Sequence, residues 1–194
     1  MEYKTSDLTI RNALIDKLNT SYSAESPVLI NEYCLSNTGT RADVVLIENE
    51  LHGFELKSDR DVLSRLPRQI YGYNKVLDKI TLVVGKTHVK EVLFLIPDWW
   101  GLMIAHEQNG AVTLHSVREA LLNPMQDLSS LAQLLHRNEL VIILSGIGKK
   151  KSLSNKSKRA LISMLLDVLD EESLRSNVID TLSMRVRQSS QVVH

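Results

Sequence analysis

Apolar residues recur at intervals of four near the start of the chain, at Ile10, Leu14 and Leu18, and Ser6 or Asp7 can cap the helix this spacing predicts, which ends before Ser21. Pro27 opens a run from Val28 to Leu35 that reads as a strand. It turns through Ser36-Asn37-Thr38-Gly39 into a second strand, Asp43 to Ile47, and polar Glu48-Asn49-Glu50 separates that from a third, Leu51 to Ser58. Asp59 and Asp61 are expected to cap a helix start, and Pro67 breaks the helix, leaving a main segment from about Pro67 to Lys79 with a stripe of Ile70, Tyr73, Val76 or Leu77, and Ile80. Thr81 to Gly85 reads as a buried strand, His88 to Leu95 as a helix, Trp100 to His106 as a strand and Val112 to His115 as an edge strand. From Asp127 the pattern turns helical: Leu128, Leu131, Leu134 and Leu135 run on toward Leu140 to Leu144, Gly146 and Gly148 end the element, and two more helices cover about 156–169 and 171–187. The pattern predicts an α/β fold with a mixed central sheet flanked by helices, a core over 1–125 and a C-terminal helical extension, 126–194, packed on it.

The second and third strands carry the candidate chemistry. A hairpin symmetric about Asn49 sets Asp43 opposite Glu55, with Cβ atoms roughly 4.5–5.5 Å apart. Side chains alternate across a strand, so Glu55 and Lys57 share a face with Asp43, while Phe54 and Leu56 join Val44 and Leu46 on the other. Two carboxylates this close repel unless a cation or a proton lies between them. Magnesium suits one or two protein carboxylates and fills its other positions with water or phosphate. The lysine would orient water or stabilise charge on a phosphate. The plainer reading is a solvated hairpin face with Glu55 paired to Lys57 or Arg41. Glu32, brought near Asp43 by a turn at Thr38, is the candidate third carboxylate or else an exposed strand glutamate beside Arg41. Arg41 itself would contact phosphate or hold Glu32 and Asp43.

Gln69 and Tyr73 lie on neighbouring turns of one helix face. An acid, then Glu-x-Lys, then Gln-x-x-x-Tyr resembles the PD-(D/E)XK nuclease superfamily, the restriction-endonuclease-like fold, in the branch with a RecB-like Gln-x-x-x-Tyr element. The resemblance covers roughly residues 5–106 and departs in having Ala42 where proline commonly precedes the first acid. It implies Asp43 and Glu55 as metal ligands, Lys57 as the catalytic lysine, and Gln69 and Tyr73 as residues supporting the catalytic site or the nucleic acid; Mg2+ (or Mn2+) is the expected ion, with Glu32, from the turn at Thr38, as its candidate third ligand. The expected function is then a metal-dependent nuclease hydrolysing phosphodiester bonds in DNA or RNA, DNA foremost. The alternative is a catalytically inactive module of the same fold that binds nucleic acid or a protein partner.

Composition changes this picture little. With 23 basic and 23 acidic side chains in 194 residues the formal net charge is zero, so any surface for nucleic acid must be local. Lys149, Lys150 and Lys151 open the densest basic run and join Arg41 as candidate nucleic-acid contacts; if that run lies off the substrate path, Arg41, Arg65 or Arg68 takes the role. The one cysteine, Cys34, excludes an internal disulfide. The apolar runs fall far short of the about 20 residues that cross a bilayer, and the polar N-terminus lacks a signal-peptide core. A cytoplasmic protein with no membrane partner is expected, and homo-oligomerisation stays open. The histidines show no zinc spacing, and no glycine-rich phosphate loop is present.

Overall fold

The computed structural model describes residues 4–21, 27–35, 38–149 and 153–191. A first helix, α1 (Asp7–Ser21), precedes a meander of three strands, β1 (Val28–Leu35), β2 (Thr40–Ile47) and β3 (Leu51–Lys57). Helix α2 (Leu66–Asn74) crosses over to β4 (Lys79–Gly85), and the short α3 (Val89–Val92) leads to β5 (Gly101–Gln108) and β6 (Ala111–Arg118). Four helices close the chain: α4 (Leu128–Ala132), α5 (Arg137–Gly146), α6 (Lys158–Val168) and α7 (Glu171–Gln191). The six strands lie in sequence order in one sheet, with β3, β4 and β5 mutually parallel and the other neighbours antiparallel, so the fold is a mixed α/β sheet flanked by helices.

Alternation along β2 and β3 sorts the hairpin into two cores. Val44, Leu46, Phe54 and Leu56 pack with Ile10, Leu14 and Leu18 of α1. Val45, Ile47 and Leu51 face the other way, into a larger cluster shared with α2 and the C-terminal helices. The face that carries Glu55 is therefore covered rather than solvated along most of its length.

Several elements differ from their expected bounds. Helix α2 stops at Asn74 because the next residues turn inward: the Val76 and Leu77 amides donate to the Tyr73 carbonyl at 3.0 Å, and both side chains are fully buried. The helix expected to reach Leu95 ends at Val92. The expected long helix after Asp127 is two, α4 and α5, with His136 capping the second through the Glu139 carboxylate. Asp59 and Asp61 cap no helix; Asp59 accepts from Thr5 and Thr87, and Asp61 from the Ser58 amide and hydroxyl. Trp100 is wholly buried and donates from Nε1 to Asn74 Oδ1 at 2.9 Å.

Two glycines set the approach of α2 to the sheet. A Cβ on Gly72 would lie 2.6 Å from Thr40 Cγ2, so only glycine lets α2 come this close to β2. Gly39 has φ 65°, the left-handed conformation that lets the chain enter β2, and its carbonyl accepts from Arg68 at 3.4 Å.

Candidate nucleic-acid cleft

A cleft of about 670 Å³ opens where β2, β3 and the start of α2 meet, lined among others by Asp43, Glu55, Lys57, Gln69, Arg41, Arg65 and Arg68. The ladder pairs Val44 with Phe54, so Asp43 and Glu55 are the next pair along the same register. Sequence spacing thus brings Asp43, Glu55, Lys57 and Gln69 to one cavity, with Tyr73 beneath it.

Their hydrogen bonds show what the arrangement can do. Asp43 Oδ2 accepts the Leu56 amide at 2.7 Å, and the Arg11 guanidinium donates to the Asp43 carbonyl at 2.7 Å. Glu55 is fully buried; its Oε1 accepts from Lys57 Nζ and from Gln69 Nε2 at 2.5 Å, and its Oε2 from the Tyr73 hydroxyl. Tyr73 also lies 2.6 Å from the Arg41 carbonyl, a second acceptor for its one proton. Burial, with Glu55 and Asp43 adding to it, pushes the Tyr73 phenol above its ordinary range, so it remains a neutral donor. Burial and then repulsion from Glu55 raise the Asp43 carboxyl to about 7, against the opposing pull of the Leu56 amide, Lys57 and Arg11.

Glu32 does not join this cluster. It sits in β1 with φ 56°, outside the regular β1–β2 pairing, and its two oxygens accept from Arg11 at 2.8 Å and Arg41 at 2.7 Å. The expected third metal ligand is instead an ion-pair partner of two arginines. Glu55 Oε1 accepts two protein donors and Oε2 one, which leaves Asp43 Oδ1, 3.8 Å from Arg11, as the carboxylate oxygen of the three residues without a hydrogen-bond donor. Among the described residues no group of three or more His, Cys, Asp or Glu side chains is arranged to hold a metal ion.

Lys149 lies after α5, exposed, with its amide closing the helix end on the Leu144 carbonyl at 3.0 Å, and it is not among the residues that line the cleft. Lys150 and Lys151 lie outside the described residues. Sequence reasoning missed Arg11, which ties α1 to β1 and β2; its one signal was the Asp7–Arg11 spacing of a helical ion pair. Among the described residues no helix is long and apolar enough to cross a membrane.

Comparison with known proteins corrects the functional expectation. The family model of bacteriophage P4 protein cII matches residues 1–194. The chain is 25% identical over 181 residues to Protein cII of Enterobacteria phage P4, a match covering 93% of this chain and 68% of that protein. No solved structure matches. These matches overturn the resemblance to the PD-(D/E)XK superfamily, and with it the expected nuclease, hydrolase and magnesium-dependent phosphodiesterase. The geometry shows how the motif residues are spent: its glutamate and lysine pair with each other in the interior, and Gln69 Nε2 and the Tyr73 hydroxyl donate to the same glutamate. Matched along its whole length, the chain belongs to the bacteriophage P4 protein cII family.

Proposed function

We propose that this protein binds nucleic acid at the cleft without cutting it. The observation that carries the reading is an imbalance of partners around the cavity. Each acid there is already engaged: Asp7 with Arg11, Asp43 with the Leu56 amide, Glu55 with Lys57, and Asp61 with Ser58. Arg65 and Arg68 line the same cavity and are exposed; among the described residues neither has a carboxylate partner, and Arg68 donates only to the Gly39 carbonyl. Arginine forks with unspent donors at the mouth of a cleft match phosphate oxygens. Contacts of this kind position a nucleic-acid backbone without reading its sequence. The hydrogen bonds of Glu55 to Lys57, Gln69 and Tyr73 then tie β3 to α2 as the floor beneath the arginines.

The test is equilibrium binding of a fluorescently labelled oligonucleotide to the purified protein and to an Arg65→Gln/Arg68→Gln variant, with the oligonucleotide run afterwards on a denaturing gel. Binding that the double substitution weakens at least tenfold, with full-length oligonucleotide recovered, supports the reading. Equal binding by both proteins, or none by either, refutes it.

A further inference from the structure

Beyond the cleft, the outer face of α2 carries a pattern that the two cleft arginines only begin. Between Asp61 and Asp78 the chain contains no acidic residue, yet it holds Arg65, Arg68 and Lys75. Arg65, Arg68, Tyr71 and Lys75 follow one another at three- and four-residue steps, so they lie along one side of the helix and extend it into its C-terminal cap. Tyr71 is 64% exposed, unlike Tyr73 two residues on, which is buried. Lys75 Nζ sits over one face of the Tyr71 ring, 4.2 Å from its centroid, a cation–π contact that holds the ring, occupies that face and leaves stacking to the opposite one. At about 1.5 Å per residue the row from Arg65 to Lys75 is about 15 Å long, room for a few nucleotides.

We infer that this face is a track for single-stranded nucleic acid that leads out of the cleft, with Arg65, Arg68 and Lys75 along the backbone and an unstacked base lying on the Tyr71 ring. The inference rests on the nucleic-acid reading of the cleft and specifies its ligand. An exposed aromatic ring set among cations is how a protein holds successive bases of a single strand, since every base has a face to stack. A duplex keeps its bases stacked inside and offers Tyr71 nothing of the kind. Charge is complementary along the whole row, and Tyr71 supplies no packing to the core whose loss would otherwise explain its effect.

The experiment titrates labelled oligothymidine, oligouridine and a DNA duplex of equal length against the full protein, against Tyr71→Ala and Tyr71→Phe, and against the Arg65→Gln/Arg68→Gln variant. Thermal melting checks that each variant is folded. Expected are tighter binding of the single strands than of the duplex, a roughly tenfold loss in Tyr71→Ala confined to the single strands, and recovery in Tyr71→Phe. The two single strands distinguish DNA from RNA as the ligand. If Tyr71→Ala binds oligothymidine and oligouridine like the parent, or the duplex binds as tightly as either, the track is wrong; the cleft reading survives as long as the arginine variant still loses binding. If no probe binds, both fall together.

Discussion

Asp43 Oδ2 accepts the Leu56 amide at 2.7 Å across the β2–β3 hairpin, which holds the Asp43 carboxyl beside a fully buried Glu55. One hydrogen bond does not offset burial and the neighbouring charge, and the Asp43 carboxyl is raised from 3.8 to about 7. A carboxyl that holds its proton more tightly in the folded state favours folding most below its ordinary value, and that contribution is lost as pH rises through the folded value. Stability should therefore fall between about pH 4 and about pH 7. Asp43→Asn keeps an oxygen for the Leu56 amide and removes the ionisation, so it should exceed the parent by roughly 2–4 kcal/mol at pH 8 and match it near pH 4. Urea denaturation at the two pH values checks this, and a constant difference between the proteins would count against it.

Lys57 and Glu55 form an ion pair that is almost entirely buried. Removing one member leaves the other charged in the interior, at a cost of about 3–5 kcal/mol. Lys57→Met and Glu55→Gln should each destabilise on that scale, and the double variant by clearly less than their sum. A double-mutant cycle by chemical denaturation gives the coupling directly; additive effects would mean that the two side chains do not depend on each other.

Gly72→Ala should be costly although it lies in a helix, where alanine is normally favoured. Its Cβ would push against the Thr40 side chain and lift α2 from β2. A loss of about 1–3 kcal/mol is expected. Thr40→Ala in the same chain should recover much of it, and thermal melting of the single and double variants is the check.

Arg175 of α7 reaches the buried Asp78, whose carboxyl burial pushes above its usual range and whose oxygens also accept from the Leu51 amide and Gln126. This contact fastens the last helix to the sheet at the β3–β4 end. Arg175→Ala should lower stability by about 1–3 kcal/mol and speed amide exchange in α7 before it does so in the sheet. Uniform acceleration across the protein would show that α7 does not open separately.

The strands were legible because their signals are local. Branched apolar runs around Glu48-Asn49-Glu50 set the β2–β3 register, and register alone places Asp43 against Glu55. The break between α4 and α5 was hidden by apolar spacing that continues through Leu134 and Leu135, both buried although they lie outside the helices. The state of the site was not legible for a different reason. Whether Glu55 faces open solvent or three protein donors depends on how far α2 sits above the sheet, and Gly72 against Thr40 sets that distance. A short motif records which residues meet, not how far their bonding is already taken up by one another. Glu32 misled similarly: a turn near Thr38 that brings it toward Asp43 or Val44 was readable, but its left-handed backbone and the reach of Arg11 from α1 were not.

The central claim, that exposed arginines of the cleft hold a nucleic-acid backbone, is tested most directly by the salt dependence of binding. For the parent protein, log K for a labelled single-stranded oligonucleotide should fall linearly with log salt, and Arg65→Gln/Arg68→Gln should flatten that slope by roughly 0.7 for each phosphate that an arginine neutralises in the parent. An identical slope in the parent and the double variant would contradict the claim.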